Sequence, residues 1–306
     1  MTNRILLIYN PMAGKGLFLP KLPDVIDVFT KAGFSVEVYP TQASGDAIKR
    51  IEAIEGEYNM IVPAGGDGTL DEVVTGLVRS GRTDIPIGYI PVGSTNDYAS
   101  SLGISGNTME AVGEIIAGKP CGVDVGILNE DHVFVYVAAF GAFTEVAYET
   151  DQGMKNTLGH VAYLLEASKR LGDIKSYMMR VTVDGRTFQQ DYIYGMITNS
   201  TSVGGMKNLT GKPDDILLND GLFEVTLVHR PRNVIEMQEI IGSLMIPSRE
   251  SELVDTFRTD SIKLESMKEI PWTLDGEYGG TYTDVTITNR KKGVKIMLEN
   301  RSTTIL

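Results

Sequence analysis

The residues best suited to chemistry are acids set in bare backbone. In "IVPAGGDGTLDEVV" (residues 61–74) an apolar run feeds Gly65 and Gly66, then Asp67, Gly68 and Thr69, before amphipathic spacing resumes. Glycine permits backbone conformations and close approaches that a side chain would block. A carboxylate between such glycines can hold a magnesium ion that bridges phosphates, directly or through water. Thr69 is expected to cap the next helix, whose N-terminal amides favour an anion. One strand later, "PVGSTNDYA" (residues 91–99) repeats the theme. Gly93 loosens the loop, Ser94 and Thr95 offer hydroxyls, Asn96 an amide and Asp97 a second carboxylate. Two acids at one sheet edge repel unless a cation or basic group lies between them, which argues for Mg2+. A tight turn with a polar helix cap is the plainer reading of either loop, but it accounts for only part of each set. "NPMAGKG" (residues 10–16) is not a Walker A loop, because no Ser or Thr follows Lys15 and the leading glycine is missing. Its amides could still face an anion; taken alone it reads as a strand-to-helix turn.

These loops need elements that bring strand ends together. "RILLIYN", "SVEVYPT", "NMIVPAGG" and "PIGYIPVG" read as strands. "VIDVFTKAGF", "GDAIKRIEAIEGE", "TLDEVVTGLVRSG" and "NDYASSLGI" read as the helices between and after them. Such alternation predicts a doubly wound, mainly parallel α/β sheet, with ligands outside the carboxyl ends of its strands. After about Gly118 the grammar becomes β-rich, with Asp184-Gly185 marking a type I′ hairpin. Two helical stretches interrupt it, "VAYLLEASKRLG" and "NVIEMQEIIGSLM". The expected organisation is an α/β domain over residues 1–122, joined by the C-terminal strand at about 294–306, and a β-sandwich over 123–293.

The chain has 306 residues, 42% hydrophobic and 22% charged, which suits two globular domains. A net charge of −12 argues against nucleic-acid binding and against tight adhesion to an anionic membrane. Membrane contact would have to be local, weak or made by apolar loops, for which "STSVGGMKNLTGK" and "GSLMIPS" are candidates. No apolar run approaches a membrane span. "MTNRILLIYNP" is too short for an export signal and reads as a first strand, so a cytoplasmic protein is expected. The single cysteine, Cys121, excludes an internal disulfide framework and reads as a small buried residue.

Six motifs occur in order: "NPMAG", "GGDGT", "PVGSTND", "VDVG", "LLNDGL" and "LDGE". Together, from Asn10 to Glu277, they resemble the diacylglycerol kinase catalytic-domain family, specifically soluble bacterial lipid kinases. The resemblance implies an α/β domain like those of NAD kinases and phosphofructokinases, followed by a β-sandwich lipid-substrate domain, with ATP between them. It implies nucleotide contacts at Asn10, Pro11, Met12, Ala13, Gly14 and Thr41, and at Gly66, Asp67, Gly68, Thr69, Leu70, Asp71 and Glu72. Ser94, Asn96 and Asp97 join them; Ser94 stands where the family usually has Thr, and the hydroxyl is kept. Asp67, Asp97 and Asp124 resemble the acidic set that organises catalytic Mg2+. Asp220, with the carbonyls of Leu217 and Leu222, resembles a second, structural Mg2+ site, although the residues alone read as an Asp-Gly turn. Glu277 resembles the base that takes the lipid hydroxyl proton and Asp275 its catalytic partner. Alternation would point both to one side of an extended segment, while "DGEYGG" also reads as a hairpin turn.

The implied reaction is ATP- and Mg2+-dependent phosphorylation of diacylglycerol to phosphatidic acid, by a cytoplasmic enzyme that meets the inner face of the membrane transiently. Sphingoid, ceramide and phosphatidylglycerol kinases are close alternatives. NAD kinase is a more distant one, opposed by "NPMAG", by the Thr-Asn-Asp triplet and by the late "DGE". A non-catalytic nucleotide-binding regulator is the alternative of another class; it would be marked by a lost acid, and Asp67, Asp97, Asp124 and Glu277 are all present. A homodimer is the expected assembly, dimers being common among cytosolic enzymes.

Overall fold

Strands apolar on both faces need cover on both faces, and the first part of the chain is built around two of them, Asn3–Tyr9 and Met60–Gly65. The computed structural model describes residues 3–142, 174–200, 202–203, 206–207, 217–246 and 250–299. The chain divides into two compact units: Met1–Val125 with Leu218–Asp220 and Lys291–Leu306, and Gly126–Leu217 with Gly221–Arg290.

In the first unit β1 (Asn3–Tyr9), β2 (Phe34–Pro40), β3 (Met60–Gly65) and β4 (Ile90–Pro91) form a parallel sheet in the order β2-β1-β3-β4. Ile5, Leu7 and Val62 pack with Val25 and Phe29 of α1 (Leu22–Lys31) and with Val112 and Ile115 of α5 (Thr108–Ala117). Leu6, Ile8 and Ile61 alternate to the opposite face and are equally buried. Between these helices the chain forms α2 (Asp46–Glu52), α3 (Asp67–Arg79) and α4 (Asp97–Leu102). The strand expected over "PIGYIPVG" is short, because Pro86 and Pro91 cannot donate to a ladder. Ile87 instead makes isolated parallel bridges to Ile61 and Ile296. Its N–H donates to the Lys295 carbonyl and its carbonyl accepts from Met297, both at 2.8 Å.

One expectation fails at α3. The helix opens at Asp67 with Gly66 at its N-cap and no side-chain cap. Thr69 therefore lies inside the first turn, buried beneath Gly65, instead of capping it.

The second unit is antiparallel. Its elements are β5 (Lys119–Leu128, which begins in the first unit), β6 (His132–Phe134), β7 (Val137–Gly141), β8 (Tyr177–Val183), β9 (Arg186–Thr198), β10 (Ser202–Val203), β11 (Met206–Lys207), β12 (Phe223–His229), α6 (Val234–Met245), β13 (Val254–Thr259), β14 (Ser261–Leu274) and β15 (Glu277–Leu298), which runs on into the first unit. The main sheet runs β13-β12-β9-β7-β14-β15-β5-β6, and β8 pairs with both β9 and β14. Because β9 and β14 each pair with β8 along one half and β7 along the other, they pass between layers and wrap a core. Trp272, Phe140, Phe134 and Phe223 fill it, with Phe134 stacked on Phe223 at 5.6 Å between ring centroids. The Asp184-Gly185 hairpin is present, with φ of 49° and 71° at its two turn residues. Asn233 caps α6 by accepting from the Glu236 N–H at 2.9 Å. The stretch "VAYLLEASKRLG" and most of "STSVGGMKNLTGK" lie outside the described residues.

Gly195 of β9 leaves the space that the Phe140 ring occupies; a Cβ there would clash with that ring. Gly195→Ala is expected to cost about 1–3 kcal/mol by overpacking. Gly113, exposed in α5 with open space where a Cβ would sit, gives the contrast. Gly113→Ala should add up to about 1 kcal/mol through helix propensity. Urea unfolding of the two variants checks the opposite signs.

Candidate functional site

The loops that follow β1, β3 and β4 are brought together by glycines. Asn10 starts the first: its N–H donates to the Ala64 carbonyl at 3.1 Å, and its side chain accepts from the Met12 N–H at 2.9 Å. Gly14, Lys15 and Gly16 then follow with φ of 56°, 59° and 78°, a left-handed run that strains the one residue with a Cβ. A Cβ on Gly14 would clash with the Val92 carbonyl, and one on Gly93 with the backbone of Gly66. Bare backbone is thus needed for loop-on-loop contact. Gly68 differs: a Cβ there would meet nothing within 4 Å, so the first turn of α3 can be approached closely. Pro11, Ala13 and Thr41 are half-buried, Met12, Ser94 and Thr95 are exposed, and Leu70 is fully buried in the core. Asn96 closes its own loop, accepting from the Gly93 N–H at 2.9 Å and donating to the Gly93 carbonyl at 3.0 Å.

The acids of α3 tie down neighbouring helices. Asp67 accepts from the N–H groups of Asp97 at 3.0 Å and Tyr98 at 3.2 Å, which opens α4 beside it. Glu72 accepts from Gly45 at 2.7 Å and Ala47 at 3.0 Å, at the start of α2. Asp71 is half-buried on the same helix. Beneath the loops, burial pushes the Tyr89 hydroxyl well above its ordinary range, and the charge of Asp67 adds to the effect. Tyr89 therefore stays protonated, with its hydroxyl 3.4 Å from the Gly65 carbonyl.

Of the three acids expected to organise Mg2+, the structure joins Asp67 to Asp97. It seats the third, Asp124, elsewhere: fully buried, donating its N–H to the Leu218 carbonyl at 2.8 Å and accepting from the Lys292 N–H at 2.7 Å. Among the described residues no three His, Cys, Asp or Glu side chains gather as a ligand cluster. Backbone amides occupy two of these carboxylates, those of Asp67 and Asp124. A carboxylate oxygen with one donor keeps a second lone pair, and Mg2+ commonly takes only one or two carboxylates, completing its shell with water and phosphate oxygens. The hard-oxygen pair Asp67 and Asp97 fits that demand. Asp220, half-buried, precedes Gly221 at φ 88° in an Asp-Gly turn, flanked along the chain by half-buried Leu217 and Leu222.

"LDGE" is a hairpin turn, not an extended segment. Asp275 and Gly276 have φ of 51° and 85°, and Leu274 pairs with Glu277 across the turn. Positive φ at both central residues is the type I′ geometry that Asp-Gly favours. The two acids therefore diverge: Asp275 is buried, and Glu277 is exposed at the first position of β15. The Asp275 carboxylate accepts from three successive N–H groups, Val135 at 2.6 Å, Tyr136 at 3.0 Å and Val137 at 2.9 Å. The Tyr136 carbonyl is held from behind by the Thr198 hydroxyl at 2.6 Å and the Asn199 N–H at 3.0 Å. Thr198 and Asn199 carry no sequence signal for this role, since their partner is main chain.

A doubly wound unit with glycine loops at its strand ends, followed by an antiparallel sandwich with an acidic hairpin, is the architecture of NAD kinase-like phosphotransferases. Residues 4–128 match the family described as "Diacylglycerol kinase catalytic domain", and residues 137–294 the "YegS C-terminal NAD kinase beta sandwich-like domain". The chain is 35% identical over 285 residues to "Diacylglycerol kinase" of Staphylococcus carnosus (strain TM300), covering 92% of this chain and 90% of that one. It is 33% identical over 283 residues to "Diacylglycerol kinase" of Staphylococcus aureus (strain Newman), covering 92% and 88%. Two solved structures from Bacillus anthracis str. Sterne share the fold. One, a diacylglycerol kinase, has a TM-score of 0.74 at 21% identity, covering 98% of each chain. The other has a TM-score of 0.81 at 24% identity, covering 98% of this chain and 96% of that one. The chain belongs to the diacylglycerol kinase family, and its class of activity is that of an ATP-dependent lipid kinase.

The anchoring of Asp275 has a measurable consequence. Asp275→Asn trades one acceptor oxygen for an amide that cannot accept, so one of the Val135–Val137 donors loses its partner. A loss of about 1–3 kcal/mol is expected, read as a lower midpoint in urea unfolding with unchanged slope.

Proposed function

We propose that the protein transfers the terminal phosphoryl group of ATP to the hydroxyl of diacylglycerol, giving phosphatidic acid and ADP. The bond between the terminal phosphorus and its bridging oxygen breaks. The lipid oxygen bonds to that phosphorus, and its proton passes to Glu277. The observation that carries the reading is Glu277 itself, a solvent-exposed carboxylate on a hairpin whose other acid is locked to three backbone amides. A general base needs a fixed position and an accessible lone pair, and this arrangement supplies both. Asp275 acts as a positioning residue. The 10–14 loop, the first turn of α3, Thr41 and Ser94 hold the nucleotide, with backbone amides turned to its phosphates. Asp67 and Asp97 would hold Mg2+, which when bound would neutralise charge on the phosphate oxygens; Asp220 would supply a carboxylate for a second Mg2+.

Reaching a lipid requires a surface that tolerates a bilayer. Among the described residues no helix is long and apolar enough to cross a membrane. The stretch after β1 is the best candidate for peripheral contact. Beyond the 10–14 loop, Leu17 and Leu19 are 67% and 52% exposed, and residues 15–23 carry two lysines and no acid in a chain of net charge −12. Apolar side chains beside lysines suit the boundary of an anionic bilayer. "GSLMIPS" contributes exposed Ile246, on a helix end with no such charge pattern.

Labelled ATP offered with diacylglycerol, sphingosine, ceramide, phosphatidylglycerol or NAD tests the substrate. Labelled phosphatidic acid should form at the highest kcat/KM; labelling of another acceptor instead, or of none, would replace this reading. Glu277→Gln should lower kcat on the order of 100-fold or more while circular dichroism stays unchanged. Replacing Leu17 and Leu19 together by Ser should reduce flotation with liposomes of diacylglycerol and phosphatidylglycerol. Activity on a short-chain, water-soluble diacylglycerol should stay within about threefold.

A further inference from the structure

Glu72 falls in a segment whose resemblance implies nucleotide contact, yet its carboxylate points at protein. Its two oxygens accept from the N–H groups of Gly45 and Ala47, at 2.7 Å and 3.0 Å. These are the N-cap and second residue of α2, a helix with no side-chain cap of its own. Gly45 is left-handed, with φ of 77°. A helix that begins this way leaves amides without partners, and a carboxylate satisfying two of them makes charge-assisted bonds, stronger than neutral ones.

The cap also governs the loop before the helix. Residues 41–45 leave the end of β2 and are held by local bonds, among them the Asp46 N–H to the Ala43 carbonyl at 3.2 Å, and by contacts to other elements. The Thr41 N–H donates to the Tyr9 carbonyl at 2.9 Å. The Gln42 N–H donates to Asp46 at 2.8 Å, and Asp46 also accepts from the Tyr39 hydroxyl at 3.2 Å. Gly45 is held by Glu72. Of these anchors only Glu72 lies on α3, the helix whose first turn is open beside Gly68.

We infer that Glu72 is a positioning residue for nucleotide binding: by capping α2 from α3, it sets the Thr41 loop in register with the amides of the first α3 turn. The inference rests on the proposed ATP reading. It separates Glu72 from its neighbours in "GGDGTLDE", which act through their backbone or beside the ligand. Loosening the cap should weaken nucleotide binding without touching the chemical step, because both Glu72 oxygens are engaged by the amides of the α2 start.

The test measures ADP binding by calorimetry, with no lipid present, beside steady-state kinetics on the full chain. Glu72→Gln keeps the shape but offers one acceptor where two donors converge. The ADP Kd and the KM for ATP should both rise on the order of tenfold, with kcat within about threefold. Glu72→Ala should exceed Glu72→Gln in the same direction. Thr41→Val combined with Glu72→Gln should raise Kd by less than the product of the two single effects, since both act on one loop. Should Glu72→Gln fail to fold, Asp46→Asn loosens the same loop and should shift Kd and kcat in the same pattern. An unchanged ADP Kd in a folded variant overturns the inference, as does a fall in kcat at constant Kd. Fully multiplicative effects of Thr41→Val and Glu72→Gln overturn it too. A wild-type chain that binds no ADP removes the nucleotide reading and this inference with it.

Discussion

A carboxylate taken out of water must find donors, and in this chain four of the acids in the sequence motifs find them in backbone N–H groups. Asp67 accepts from α4, Glu72 from α2, Asp124 from the Lys292 amide and Asp275 from the Val135–Val137 run. With 40 acidic residues against 28 Lys and Arg, the chain has too few cations to pair every acid. Main-chain donors are abundant wherever a helix begins or a strand irregularity leaves amides outside a ladder. A bond from an amide to an ionised carboxylate contributes about 1.5–3 kcal/mol, more than a neutral hydrogen bond. Each such contact also joins segments that lie far apart in the chain, so it fixes loops that local propensity would leave open.

Helix α3 shows what this arrangement achieves. It starts at the carboxyl end of β3 with glycine at its N-cap and no side chain over its first amides. Its acids face sideways, Asp67 to the start of α4 and Glu72 to the start of α2. Two neighbouring helix starts are thereby satisfied by protein, while the first turn of α3 is left approachable at Gly68. The glycine loops follow the same logic. Gly14 against Val92, and Gly93 against Gly66, let three loops touch where side chains would hold them apart.

The alternation of strand and helix, the glycine loops, the Asp184-Gly185 hairpin and the order of the six motifs were legible because each is a local pattern. The short β4 could have been read from Pro86 and Pro91, whose missing N–H groups cut the ladder. Thr69 was misread because a Thr after glycines looks like a cap, whereas Gly66 holds that place. The divergence of Asp275 and Glu277 was open in the sequence, since Asp-Gly carries the type I′ signature, but strand alternation pointed the other way. The partners of Asp275 were not legible at all. They are amides of residues 138 to 140 positions away, and an amide has the same chemistry in every residue but proline.

The hairpin at Asp275 and the helix start at Asp67 use one device for different ends. At Asp67 the carboxylate is bound by the amides of a helix start and precedes an open turn at Gly68, and on the proposed reading it would serve a cation as well as a helix. At Asp275 three donors converge on one buried carboxylate, and little accepting capacity is left for a ligand. Its contribution is mechanical: the turn is pinned two residues before Glu277, and the exposed acid inherits the position. A base on an unpinned hairpin tip would sample many orientations, and an error of about 1 Å in a reacting group can cost about 100-fold in rate. On the proposed reading, burying one acid of the pair so that the other can stand exposed and fixed is what would give "LDGE" its chemical use; the turn itself explains why two acids so close in sequence do not share one environment.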